Sequence, residues 1–247
     1  HDLLEGCYAR AGLLSDVHLY EDYPAHYSAD VSRRHRWIRG DWQLLGWLLP
    51  RVPGSPGARR QKNPLSWLSQ WKLFDNLRRS LVPLALTLLL LLGWTLPASP
   101  LFWTGAVLGI ILIPSLIASI LDLFHKPREV LYRQHFAAAR DAAVQRLAQA
   151  AFHLACLPHE AYYSLDAILR TLGRMWFTHQ RLLEWNPSGE AARNCRTDLA
   201  GTLRAMWIAP LVAVAAMLYL LLFKPTVLAV AAPILLLWLA SPAIAWW

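Results

Sequence analysis

Four long apolar runs constrain the fold of this chain more than any other feature. Each lacks charged side chains, and they cover residues 81–96, 101–121, 205–223 and 226–247. A membrane-spanning helix needs about 20 apolar residues, so the first run is just long enough and the others suffice. Only "PASP" separates the first two runs, and only Lys224 and Pro225 separate the last two. The sequence therefore predicts four membrane helices in two antiparallel hairpins.

Positive charge is distributed very unevenly around these runs. Residues 1–80 contain 12 Lys and Arg, residues 122–204 contain 11, and the hairpin tips contain only Lys224. Because loops rich in Lys and Arg stay in the cytoplasm, both large polar segments are predicted to be cytoplasmic. A chain that is 56% hydrophobic with a net charge of +8 is expected to be a membrane protein with a basic face, and not a soluble nucleic-acid binder.

The sequence begins at His1 without an initiator methionine or a signal peptide, so it is expected to be a piece of a longer polypeptide. Its three cysteines lie far apart, which argues against a zinc cluster. The division expected from composition has four segments. They are a cytoplasmic segment at 1–64, an interfacial helix and first hairpin at 65–121, cytoplasmic and interfacial helices at 122–204, and a second hairpin at 205–247.

One further segment leaves the topology open. Residues 148–163 are apolar enough for a fifth span, but they include His153, Pro158, His159 and Glu160. The helical pattern that follows has a charged face opposite an aromatic and aliphatic one, which favours a helix lying in the membrane interface. Tryptophans in the other spans, among them Trp94 and Trp238, are predicted either to anchor at the interface or to stack on sugar rings in a channel.

The first 80 residues have a different pattern. A short strand is predicted at 16–20, and a helix is predicted to begin near Ser28 and to end before the Pro- and Gly-rich loop 51–64. A second, amphipathic helix is predicted at 65–81, with two tryptophans four residues apart as interfacial anchors.

The helix that begins near Ser28 carries "RRHRWIRGDWQ", residues 33–43. Arg33, Arg36 and Trp37 form the pattern R-x-x-R-W, and Trp37 is predicted to share a face with the leucines that follow it while the arginines point elsewhere. Composition alone would also fit a basic helix bound to anionic lipid. About thirty residues upstream, "HDLLEG" supplies an acidic residue, Asp2.

This pattern resembles the (Q/R)-x-x-R-W signature of processive membrane glycosyltransferases related to cellulose and hyaluronan synthases. Longer blocks, together spanning essentially the whole chain, resemble the glycosyltransferase domain of cyclic β-1,2-glucan synthases: "HDLLEGCYARAGLLSDVHLYEDYPAHYSADVSRRHRWIRGDWQLL", "DNLRRSLVP", "LDAILRTLGRMWFTHQRLLEW" and "SPAIAWW". The resemblance implies a mainly α chain, in which polytopic membrane helices follow the C-terminal remnant of an α/β type A glycosyltransferase domain. It also implies a bacterial inner membrane, with the catalytic side cytoplasmic.

The implied reaction transfers glucose from UDP-glucose to a growing glucan with inversion. Asp2 matches the base of the family, because a sugar hydroxyl needs a carboxylate to take its proton. Arg36, supported by Arg33, matches the cation that meets the departing diphosphate, and Trp37 offers a flat face for the acceptor sugar. The alternatives are that Asp2 caps a helix and that Trp37 belongs to a core.

Phe177, Thr178, His179 and Gln180 lie where cellulose synthase-like enzymes carry a gating loop with an F-x-V-T-x-K motif. The valine and the lysine of that motif are missing here, so a plain turn is the alternative. The family implies a divalent metal, Mg or Mn, held by an aspartate motif upstream of His1, and no metal ligand is expected in this chain. The expected partners are UDP-glucose, the glucan, the lipid bilayer and further domains of the same polypeptide, and no nucleic acid.

Two other functions remain compatible with the sequence. One is a synthase that makes a linear polysaccharide of the cellulose type, because nothing in these residues fixes a 1,2 linkage. The other is a non-catalytic membrane transporter or scaffold, which fits the four spans equally well. A transporter would more often carry ionisable groups within its spans, and it leaves the combination of Asp2, Arg33, Arg36 and Trp37 unexplained.

Overall fold

The computed structural model describes residues 1–9, 12, 14–20, 24, 26–52, 59–96, 99–182 and 198–247. That part of the chain is mainly helical, as predicted. Its α-helices are α1 (Asp2–Ala9), α2 (Tyr27–Gln43), α3 (Trp67–Thr95), α4 (Pro100–Phe124), α5 (Tyr132–Gly173), α6 (Leu199–Ala205), α7 (Ile208–Phe223) and α8 (Pro225–Trp246). A 3-10 turn (Leu45–Leu48) follows α2, and a π-turn (Arg174–Thr178) follows α5.

The described residues form two compact units, which are treated separately. The first unit comprises His1–Pro83 and Ala161–Asp198, and the second comprises Leu84–Glu160 and Leu199–Trp247. The expected division into four segments stays a prediction.

The strand predicted at 16–20 is wrong. Asp16 lies in a turn, and residues 17–20 have no regular secondary structure and no strand partner among the described residues. Leu19 and Tyr20 are more than nine-tenths exposed. An alternating pattern stabilises a strand only when a neighbouring strand and an apolar layer accept it, and neither is present here in the described structure.

The helix predicted to begin near Ser28 is confirmed as α2, which begins one residue earlier. Within the loop predicted at 51–64, β1 (Arg51–Val52) and β2 (Gln61–Lys62) pair antiparallel, with Arg51 opposite Lys62. The loop is closed by Asn63, whose side-chain amide donates to the carbonyls of Trp47 and Leu49 at 2.7 and 3.0 Å.

The predicted amphipathic helix and first span are one continuous helix, α3, with Pro83 in its interior and not at a start. Membrane helices tolerate such a proline because neighbours satisfy the carbonyl that it frees. Trp67 and Trp71, the proposed anchors, are 82% and 53% exposed.

Among the described residues, three helices are long and apolar enough to cross a membrane, namely α3, α4 and α8. A fourth span is formed only if α6 and α7 are counted together, because the chain bends by 64° between them. Three of the four predicted spans are therefore single helices, and the fourth is broken at its start. Between the hairpin tips, the ammonium of Lys224 donates to the carbonyls of Thr95 and Leu96 at 2.7 and 3.1 Å, at the C-terminal end of α3.

The segment 148–163 lies inside α5, which is not among the candidate spans. Residues 154–161 are buried within the protein, and the interfacial position predicted for this segment stays a prediction. Pro158 has no N–H, so it leaves the carbonyl of Leu154 without its helical partner. The indole N–H of Trp238, in α8, donates to that carbonyl at 3.0 Å.

Trp238 and Trp94 form the core of the second unit. Both are at most 1% exposed, and their ring centroids lie 5.7 Å apart. The indole N–H of Trp94 donates to Thr104 Oγ1 at 2.9 Å, which ties α3 to α4. Neither tryptophan is therefore an interfacial anchor or a platform for sugar rings, and both predicted roles are wrong for this pair.

Candidate functional site

Arg33, Arg36 and Trp37 lie on one face of α2, which we call the front face. A helix turns by about 100° per residue, so positions 33, 36, 37 and 40 fall within one sector. The guanidinium of Arg33 stacks over the Trp37 ring, 4.7 Å from its centroid. The prediction that Trp37 points away from Arg33 is wrong, because the two side chains stack. The helix also ends at Gln43, so the leucines that follow lie in a separate 3-10 turn.

Asp30 is an acidic residue that pairs with Arg33 and Arg34, and sequence reasoning missed it. Its carboxylate is 2.8 Å from Arg33 Nη2 and 2.7 Å from Arg34 Nε, and the residue is only 6% exposed. The spacings of three and four residues along a helix were the available signal. Since Arg33 is held by Asp30, its guanidinium is fixed over Trp37 before any ligand binds.

Trp37 is 54% exposed although its ring is covered on one side by Arg33. An indole in a hydrophobic core would be excluded from solvent, so the core alternative for Trp37 is not what the structure has. A partly covered, partly open indole can stack on a planar or ring-shaped ligand. Arg36, on the same face, is partly buried.

The start of α1 lies against the front face. A Cβ added to Gly40 would be 3.1 Å from the His1 ring, so a side chain there would crowd the imidazole. His1 Nε2 is 3.1 Å from Asp41 Oδ1, and this carboxylate also accepts a bond from the Asn76 amide at 3.2 Å. Burial raises the pKa of Asp41, opposed in part by Asn76 and Arg79. Asp2 is exposed and follows His1 directly in the chain. Gly40, which lies close to His1, is about one helical turn after Arg36.

The opposite, back face of α2 is attached to other elements. His35 Nε2 lies 2.9 Å from Asp166 Oδ2 in α5, and Arg170 Nε donates to Asp166 Oδ1 at 2.7 Å. Burial lowers the pKa of His35, outweighing the opposing effect of Asp166. The pKa of Asp166 is also lowered: burial alone would raise it, but the bonds from Arg170 and His35 outweigh that. Neutral His35 therefore donates to an ionised Asp166.

A second attachment on this side involves Trp42, whose indole N–H donates to the buried Ser80 in α3 at 2.9 Å. Sequence reasoning missed His35, Asp166 and Ser80 as partners, because each bond joins residues far apart in the chain. These bonds fix the orientation of α2, and so the direction of its front face.

The segment predicted as a gating loop begins in the π-turn, where Phe177 is 81% exposed. His179 and Arg181 have positive φ angles of 52° and 54°, an uncommon backbone for residues with a side chain. Arg174 Nη1 donates to the carbonyl of Arg181 at 2.9 Å, and Gln43 Nε2 donates to the carbonyl of Leu182 at 2.8 Å. The segment is thus attached to the end of α2. The remainder of the "LLEW" block, like Cys195, lies outside the described residues.

The described residues offer no group of three His, Cys, Asp or Glu side chains that could hold a metal ion. The divalent metal that the resemblance implies stays a prediction, and no step of the chemistry below is assigned to one.

No family model matches the chain. The whole chain aligns, at 33% identity over 248 residues, with cyclic beta-(1,2)-glucan synthase NdvB of Rhizobium meliloti (strain 1021). The chain spans 8% of the length of that curated relative. The resemblance to cyclic β-1,2-glucan synthases is thereby confirmed over the length of the chain, which aligns with one segment of that relative.

Proposed function

We propose that the chain is part of a membrane-embedded, inverting glucosyltransferase that uses UDP-glucose to build cyclic β-1,2-glucan. The observation that carries the proposal is the front face of α2. There the guanidinium of Arg33 stacks on the half-exposed indole of Trp37, and Arg36 falls in the same helical sector. His1, the residue before Asp2, lies close to Gly40 in that sector. A cation and an aromatic face beside a carboxylate are what transfer of a sugar from a diphosphate requires.

In this proposal each side chain has one task. The Asp2 carboxylate takes the proton of the acceptor hydroxyl as its oxygen attacks the anomeric carbon. The bond from that carbon to the diphosphate oxygen breaks, and Arg36 stabilises the negative charge that develops on the leaving group. Trp37 stacks on the acceptor sugar, while Arg33 keeps the indole in position. Phe177 to Gln180 form a loop that closes over the donor and excludes water.

The remaining parts have supporting roles. The first 64 residues are the C-terminal remnant of an α/β glycosyltransferase domain, and a divalent metal is bound by residues upstream of His1. The site faces the cytoplasm of a bacterial inner membrane, which the distribution of 23 of the 24 Lys and Arg around the spans supports. The spans anchor the site and receive the glucan.

The test uses inverted membrane vesicles that contain the protein expressed from its natural gene, supplied with radiolabelled UDP-glucose. Asp2→Asn is expected to lower glucose incorporation by about a hundredfold or more, because general base catalysis contributes that much. Arg36→Ala and Trp37→Ala should also lose most of the incorporation.

Two matched controls separate the site from the membrane anchor. Trp67→Ala removes an indole that is 82% exposed, and Arg78→Ala removes an exposed guanidinium. Both should keep the wild-type rate at equal expression. Unchanged incorporation in Asp2→Asn would overturn the assignment of the base, and equal losses in Trp37→Ala and Trp67→Ala would make the basic helix a membrane anchor.

A further inference from the structure

His35 lies within "RRHRW", yet it points away from the residues of the proposed site. It is two positions after Arg33 and one before Arg36, which places it near the opposite side of α2. Its contact with Asp166 is 2.9 Å, and both side chains are about three-quarters buried. A partly buried bond between an imidazole and an ionised carboxylate is stronger than a neutral one at the surface.

The segment 174–182, which carries Phe177, begins eight residues after Asp166. The carboxylate is held on its other oxygen by Arg170, one turn further along α5. The helix then passes into the π-turn at Arg174. Because α5 continues without a break from Asp166 to Gly173, fixing Asp166 also fixes the beginning of the segment, about two helical turns further on.

The far end of the segment is attached to α2 as well. Gln43 lies eight residues after His35 in α2, and its side-chain amide donates to the carbonyl of Leu182. The stretch from Asp166 to Leu182, which includes the segment 174–182, is thus bound to α2 at both ends. Between these ends, the π-turn and the two residues with positive φ depart from the preferred backbone, and such conformations persist only where the surroundings hold them.

We propose that His35 is a positioning residue. Through Asp166, it holds the segment 174–182 at a fixed place relative to Arg36 and Trp37, so that the loop closes over the donor only when α2 is correctly oriented. This inference rests on the proposed glucosyl transfer, but the contact itself can be tested without it. His35 reaches the site through the segment and touches neither the donor nor the acceptor.

The kinetic test is a double-mutant cycle in the protein expressed from its natural gene. His35→Ala and Asp166→Ala should each lower kcat by about tenfold, with KM for UDP-glucose changed by less than about twofold, since misplaced groups lose rate more than binding. The double variant should be no slower than the slower single variant, because both remove the same contact. His35→Gln, which keeps a donor near the Nε2 position, should recover most of the rate.

The second measurement does not depend on activity. Spin labels are placed at Ser32 and Phe177, both exposed, in a background in which the native cysteines are replaced by serine. A narrow distance distribution is expected in the wild type and in Arg78→Ala. The distribution should broaden in His35→Ala and narrow again in His35→Gln. Arg78 serves as control because its pair with Asp75 lies at the exposed surface of the same unit.

The outcomes separate the two proposals. An unchanged distance distribution in His35→Ala, or losses of kcat that multiply in the double variant, would overturn the positioning role. A wild-type protein that incorporates no glucose, while its label distances still depend on His35, would overturn the proposed function and leave the structural coupling standing. If Asp166→Ala prevents folding, Asp166→Asn is used in its place. The rate of Asp166→Asn must then show no further loss when His35→Ala is added.

Discussion

The two units are stabilised in different ways. In the first unit, polar pairs between distant parts of the chain set the geometry, such as His35 with Asp166 and Trp42 with Ser80. In the second unit, close packing dominates, with buried indoles and alanines where α7 meets α8. Side chains that form the site need defined directions, which hydrogen bonds supply. Helices in an apolar surrounding gain most from close contact.

The largest effect should come from adding a side chain at Gly93, where α3 and α4 approach closely. A Cβ at Gly93 would lie 2.5 Å from Trp103 Cβ, an atom next to the backbone that cannot move aside. Gly93→Val is therefore expected to separate α3 from α4 and to lower the free energy of unfolding by about 3 kcal/mol or more. Thermal unfolding in detergent measures this loss.

Gly105, in α4, is the matched control for Gly93. A Cβ there meets no atom within 4 Å. Gly105→Ala should leave stability unchanged or raise it by up to about 1 kcal/mol, because alanine is the better helix former. A similar loss of stability at both glycines would show that tight packing is not what distinguishes this unit.

The next effect depends on pH. Burial lowers the pKa of His159 from 6.5 to about 4, against the opposing effects of Glu160 and of a bond to the Ala205 backbone. As the pH decreases, His159 is protonated in the unfolded chain before it is protonated in the folded protein. The free energy of unfolding should therefore fall between pH 6.5 and about 4, by about 3 kcal/mol in total. Melting temperatures measured over this range should show the loss in the wild type and a flatter profile in His159→Gln. Identical profiles would refute the assignment.

A hydrogen bond inside the packed unit should be worth less. Trp238→Phe keeps the ring but leaves the Leu154 carbonyl without its donor, at a cost of about 1–3 kcal/mol. In a Pro158→Ala background, the N–H of residue 158 can donate to the Leu154 carbonyl. The same change at Trp238 should therefore cost less. Denaturation of the four proteins of this cycle gives the coupling, and equal costs in both backgrounds would contradict it.

The smallest effect is expected in the first unit. Asp30→Asn weakens the hold on Arg33 and loosens the stack on Trp37, so glucose incorporation should fall by a factor on the order of three to ten. Asp141→Asn, in an exposed pair with Arg140, is the control and should leave the rate unchanged. If the two changes are equivalent, the polar contacts of the first unit do not set the geometry of its front face.

Much of the fold was predictable because apolar length and helical periodicity are local properties. The runs that became α4 and α8, and the helix of Arg36 and Trp37, could be located from the sequence alone. The break between α6 and α7 was missed, although Pro210, which has no N–H to donate to the Met206 carbonyl, was an available signal. The burial of residues 154–161 was also missed, because a helix covered by other helices has the same composition as one that lies on a membrane.

For the site, the motif indicated which residues to examine but not how they are held. That Arg33 stacks on Trp37 follows from a spacing of four residues, which the sequence contained. The contacts of His35 with Asp166 and of Gln43 with Leu182 join positions more than 100 residues apart. No local pattern predicts such pairs, since they depend on how the helices pack.

The π-turn after α5 has a consequence for how sequences of this region should be aligned. The amide of His179 bonds to the carbonyl of Arg174, five residues earlier, where an α-helix would use four. The turn therefore corresponds to one inserted residue, and it rotates everything after it by about 100° relative to an uninterrupted helix. Deleting one residue from 174–178 would turn Phe177 and Thr178 toward another side. The length of this stretch, more than the identity of its residues, determines where the segment points, so relatives should be aligned through it by register before their residues are compared.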